Sequence, residues 1–182
     1  MRFFVCGLSG LGLILLLVPF LLTAQTSPNS PDPAISSLRP LIRDSGYIFE
    51  GTVLSVQRSA DIEPGTAAAV QISFRVERAV RGVRAGQVLT IREWAGLWNS
   101  GDRYRSGERL LLFLYPPGKL GLTSPVGGPM GRFSVDSKGN VVLENQRLAA
   151  ISPDPLPQTI PPRTRRVSTR TVALAIHRMA AE

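Results

Sequence analysis

The sequence predicts a mainly β domain, a small five-stranded barrel with a short C-terminal helix. Three observations carry that prediction. Leu110 to Tyr115 are six consecutive apolar or aromatic residues stopped by Pro116 and Pro117. The run is too short for a helix and apolar on both faces, the pattern of a strand covered on both sides. Val70, Ile72, Phe74 and Val76 alternate with Gln71, Ser73, Arg75 and Glu77, the period of a half-buried strand. Glycine and proline clusters punctuate the segments between, as tight turns require.

Taken in order, the chain opens with Met1 and Arg2, an uncharged apolar run from Phe3 to Leu22, and the small residue Ala24. A basic start, an apolar stretch and a small residue at the cut describe a secretory signal peptide over residues 1–24. The address is then periplasmic or extracellular; the alternative is a membrane anchor formed by residues 3–22, which are numerous enough to cross a bilayer. Residues 25–37 are rich in serine and proline without apolar periodicity and read as a flexible leader. Ser36 to Asp44 forms a short helical turn in which Pro40 fits only near the first turn.

The β domain occupies residues 38–150. Tyr47 to Gln57 is its first long strand, bent at Gly51; Val70 to Glu77 is the second and Gln87 to Glu93 the third. Trp94 to Ser106 is a loop of aromatics and turn formers, and the doubly covered strand follows. Arg132–Val135 and Val141–Glu144 flank Asp136 to Asn140, a hairpin loop whose Gly139 supplies a left-handed turn. Residues 151–167 read as an extended linker rich in proline and arginine. Residues 168–182 form an amphipathic helix with Ser168 as N-cap and Val172, Ala175, Ile176 and Met179 along one stripe.

A five-stranded barrel bent by glycine is best matched by the OB-like fold. The run from Leu41 to Val53, the Val80-Arg81-Gly82 turn, the Gly107-Glu108 pair and Gly131 to Val135 resemble bacterial exported proteins related to the netrin module and the tissue inhibitors of metalloproteinases (TIMPs). The likeness spans Leu38 to Val142. It implies an OB-type barrel and, in the animal inhibitors, an N-terminal cysteine placed on a catalytic zinc. The mature chain expected here starts at Gln25 and has lost its single cysteine, Cys6, so no inhibitory residue carries over.

Composition narrows the function. The net charge is +8, nearly all of it from arginine, which draws the chain to polyanions unless the charges are simply solvated. The single histidine, His177, lies off the apolar stripe of the terminal helix and beyond the expected barrel, so it reads as a surface residue rather than the base of a triad, and one histidine without a mature cysteine cannot make a structural zinc site. Glu50, Glu93, Asp102 and Glu108 are expected to be solvated. The chain is therefore read as a non-enzyme without metal or cofactor, a monomeric exported binding module. Two rivals remain, a loop-based protease inhibitor and an envelope-associated structural protein. The candidate ligand loop carries Trp94, Trp98, Arg103, Tyr104 and Arg105, although for Trp94 and Trp98 the preferred reading is of core residues capping the barrel. A second candidate, for an anionic partner such as an envelope polymer, is Arg163, Arg165, Arg166 and Arg170. No specific nucleic-acid partner is expected.

Overall fold

The computed structural model describes residues 33–58, 68–99, 103–151 and 164–181. The chain divides into two units, residues 1–30 and 31–182, and every described residue belongs to the second. The expected signal peptide, residues 25–32 of the leader, and Asp102 and Arg163 lie outside the described residues.

Two short helices begin the domain, α1 (Pro33–Ser36) and α2 (Arg39–Asp44). Pro40 stands in the first turn of α2, where its missing N–H costs nothing. The end of the expected leader is thus ordered, and Ala34, Ile35 and Leu38 are buried. Their apolar spacing is too brief to register as periodicity in the sequence.

Five strands then form one antiparallel sheet: β1 (Tyr47–Arg58), β2 (Ala69–Arg81), β3 (Val88–Trp94), β4 (Arg109–Leu114) and β5 (Arg132–Ser134), ordered β3-β2-β1-β4-β5. The first three run as a meander, and β4 returns along the free side of β1. Gly51 stands at one of the register shifts between β1 and β2. A Cβ placed there would lie 2.7 Å from the Arg75 carbonyl oxygen, so only glycine lets the strands approach this closely.

The strand β6 (Asn140–Glu144) departs from the expected layout. The expected hairpin forms, with Gly139 left-handed at φ 76° and a Val135–Val141 bridge just beyond β5, but β6 then pairs with β7 (Thr164–Ser168) in a separate two-stranded sheet instead of extending the first. Part of the expected linker is therefore a strand. Between these two strands lies α3 (Asn145–Ile151), and α4 (Thr169–Ala180) ends the domain. Ser168 caps α4 by accepting a hydrogen bond from the Thr171 amide at 3.1 Å. Val172, Ile176 and Met179 turn the α4 stripe into the core.

Two apolar cores lie on opposite faces of β4. Leu110, Leu112 and Leu114 join Phe49, Val53, Val70, Ile72, Phe74, Val76 and Ile91. Leu111 and Phe113 join Ile48, Phe133, Val141 and Leu143 together with Ile35 of α1, Leu38 at the start of α2, and Val172 and Ile176 of α4. Burial on both faces explains the unbroken apolar run. Tyr115 lies beyond the strand and is exposed.

The segment after β4 also reaches the β3 edge of the sheet. The segment after β4 hydrogen-bonds to it, Tyr115 N–H to the Ser124 carbonyl at 3.0 Å. One residue earlier, Thr123 donates its N–H to the Arg92 carbonyl of β3 at 2.8 Å.

Candidate functional site

Along β3, Leu89, Ile91 and Glu93 face the first core, while Val88, Thr90, Arg92 and Trp94 face the other way. Register supports this division, since Ile91 stands opposite Ile72 and Glu93 opposite Val70. Glu93 is consequently a carboxylate with no exposure at all. Its oxygens accept hydrogen bonds from the Tyr104 hydroxyl at 2.8 Å and the Trp98 indole N–H at 3.1 Å. Arg103 Nε approaches to 3.7 Å, an ion pair without a hydrogen bond.

Rings complete this cluster. Tyr104 packs edge-on against Phe74 with centroids 5.5 Å apart and lies 5.8 Å from Trp98. Arg132 of β5 lies over the Tyr104 ring at 5.1 Å, and Arg58 over Trp98 at 5.8 Å. Burial pushes the Glu93 carboxyl above its ordinary range, and the hydrogen bonds from Tyr104 and Trp98 and the charge of Arg103 offset this in part. Burial, then the Glu93 charge, also holds the Tyr104 hydroxyl well above its ordinary value. This set fastens the segment after β3 to the sheet, with both carboxylate oxygens occupied by core donors.

The five loop candidates therefore separate. Trp98 and Tyr104 are core residues, 3% and 2% exposed. Arg103 is half-buried and donates to the Leu97 carbonyl at 3.3 Å. Arg105 is exposed, and its amide donates to Glu108 at 3.2 Å. Trp94 is 53% exposed on the outer face. A Cβ on Gly96 would lie 2.4 Å from its ring atoms, so the glycine is what allows the indole to lie against the following turn.

Trp94 stands at a corner of an open sheet face. The α-helices and the two-stranded sheet contribute to the core around Ile48, Leu111, Phe113 and Phe133, leaving the outer face of β2, β3 and the second half of β1 polar. Cross-strand register sets its side chains in three rows: Gln57-Gln71-Arg92, Ser55-Ser73-Thr90 and Thr52-Arg75-Val88. Gln57, Gln71, Arg75, Val88 and Thr90 are exposed, and the other four are half-buried. Within the middle row the Ser73 and Thr90 hydroxyls are hydrogen-bonded at 2.9 Å. The alternation along β2 had announced this face, but the bulge after Val53 hid the contribution of Ser55 and Gln57.

Two expected solvated carboxylates prove buried, Glu93 and Glu50, the latter 2% exposed. Their positions in the strand, not their charge, decide this. Glu50 receives Arg109 Nη2 at 2.7 Å and Arg78 Nε at 3.3 Å. Arg165, Arg166 and Arg170 are exposed, but they form no single cluster: the first two are adjacent in β7 and point to opposite faces. Arg166 also lies 3.6 Å from Asp136. His177 is exposed on α4. Among the described residues no group of three histidine, cysteine or acidic side chains is placed to hold a metal ion.

Comparison with family models, curated proteins and solved structures found no match for the chain.

Proposed function

We propose that this chain is an exported, non-enzymatic binding module whose working surface is the open face beside Trp94. The observation that carries the reading is an indole left half in water and held against Gly96, next to a sheet face of polar side chains that, among the described residues, no helix covers. An exposed aromatic fixed by its own backbone loses little entropy on contact.

The scaffold in this reading is a partly open, OB-like barrel, in keeping with the resemblance to the netrin module and TIMPs. Two contacts support closure. Thr123 links the segment after β4 to the β3 edge, and Arg132 of the β5 edge reaches the ring that holds Glu93 of β3. Export rests on the basic, apolar and small-residue pattern of residues 1–24.

The test is capture from the native envelope and culture medium by the tagged protein, beside Trp94→Ala. A partner retained by the wild type and lost with Trp94→Ala supports the reading. Capture that survives Trp94→Ala and disappears in salt reduces the interaction to general arginine attraction.

A further inference from the structure

The open face has a chemistry that narrows its ligand, and this step rests on the binding reading above. We infer that it holds an acidic polysaccharide, a chain of sugar rings bearing carboxylate or sulfate groups, laid across the three side-chain rows with one ring against Trp94.

Hydroxyl and amide groups dominate the rows. Ser55, Gln57 and Gln71 present both donors and acceptors, Thr52 donates to Glu77 and keeps acceptor capacity, and the bonded Ser73–Thr90 pair keeps one hydroxyl proton and acceptor capacity, a mixed set that suits a ligand with many hydroxyls. Adjacent strands hold them about 4.8 Å apart, on the scale of one sugar ring. Their side chains are short or amide-tipped and anchored in a sheet, so a repeating ligand meets a repeating surface.

Charge selects among such chains. Arg75 and Arg92 are the only ionised groups in the three rows. The next acid along β2, Glu77, already receives Arg109 Nη2 at 2.7 Å and the Thr52 hydroxyl. The face is thus complementary to a polyanion rather than to a neutral glycan.

Other ligands fit less well. Single-stranded nucleic acid calls for successive aromatic platforms, and this face has one indole. A protein partner would call for an apolar centre, whereas the exposed large apolar side chains of these three strands, Leu54 in the β1 bulge and Val88 and Trp94 at opposite ends of β3, form no continuous patch.

The experiment is native electrophoresis of the full chain through gels containing polygalacturonate, dextran sulfate, neutral dextran or polyacrylate, the last a polyanion without rings. Single-stranded DNA serves as a further arm, and thermal unfolding confirms that each variant is folded. The expected result is retardation by polygalacturonate or dextran sulfate, little by dextran, and less by polyacrylate and DNA. Trp94→Ala should weaken binding about tenfold, the loss of one stacked ring, and Arg75→Gln with Arg92→Gln should abolish the preference for acidic chains. No retardation by either acidic polysaccharide overturns the inference, as does equal retardation by polyacrylate or DNA that ignores Trp94→Ala.

Capture from periodate-treated envelope separates this inference from the broader reading. Loss of the Trp94-dependent partner after oxidation of its sugar diols supports a glycan. If that partner survives oxidation, the glycan is wrong and the binding module stands; if no Trp94-dependent partner exists in either extract, both fail.

Discussion

Glu50 and Glu93 sit on opposite faces of one sheet, and both are sealed from water. Glu50 is met by two guanidinium groups, Arg78 and Arg109, whose side chains are 42% and 32% exposed. Arg109 also holds Glu77. Glu93 has only neutral donors within hydrogen-bonding distance, Tyr104 and Trp98, and its arginine stops at 3.7 Å. The difference is one of position. At the boundary of a core a carboxylate can be reached by long cations that keep one end wet, whereas inside a core it must be satisfied by dipoles, and desolvation then raises its pKa.

The comparison breaks most directly at Arg109. Arg109→Ala leaves Glu50 buried beside Glu77 with Arg78 as its remaining cation, and unfolding stability should fall by about 3–5 kcal/mol. Urea denaturation measures this; a loss below about 1 kcal/mol would show that water solvates Glu50 directly. Trp98→Ala should cost a similar amount, about 3–5 kcal/mol, because it removes a buried ring as well as a Glu93 donor.

Tyr104→Phe comes next and keeps the ring. Only the hydroxyl is lost, so its cost isolates one donor to a buried carboxylate, about 1–3 kcal/mol. The ring contacts with Phe74 and Arg132 should hold the loop in place. An effect near zero in equilibrium denaturation would mean that Trp98 and Arg103 suffice for Glu93, and that the core carboxylate is as well served as the boundary one.

Glu93→Gln sharpens the contrast through pH. The native carboxyl titrates above its ordinary range, while the unfolded chain titrates near the reference value of about 4.3. Between those two values the native state binds more protons, so this group's stabilising contribution is present below the unfolded pKa and is lost as pH rises through the folded one. Glutamine has no such loss. The stability of Glu93→Gln relative to wild type should therefore climb with pH across that window, read from urea midpoints at successive pH values. Asp44 and Asp136, whose pKa values are lowered, titrate alike in both proteins and cancel in the difference. A relative stability that stays flat would refute the raised pKa.

The strands themselves were legible where their causes are local, whereas the pairing of β4 with β1 was not. Double-sided burial of Leu110 to Leu114 and the alternation in β2 are written in the side chains themselves, as is the Ser168 cap. The strand β7 was not legible, because Thr164 to Ser168 contains two arginines and a single half-buried valine. Its strand character comes from pairing with β6, a non-local cause. Glu93 was half legible: its parity with Leu89 and Ile91 points inward, but only the return of Trp98 and Tyr104 shows how a charge survives there. The candidate loop mixed core and surface because aromatic residues serve both, and composition does not separate them.

The smallest effect belongs to Trp94, four residues before Trp98. Its ring is 53% exposed and Trp98 is 3% exposed, so the same truncation should have opposite consequences in the two places. Trp94→Ala should change unfolding stability by no more than about 0.5 kcal/mol, the range for surface positions without special contacts. Thermal unfolding beside Trp98→Ala provides the check. A loss of several kcal/mol at Trp94 would mean that the indole shields Ala69, its buried cross-strand neighbour, and is itself part of the fold. A neutral result leaves a large apolar ring that stability does not require, held against Gly96 on the open face, and that is the condition under which its contribution to binding can be measured cleanly.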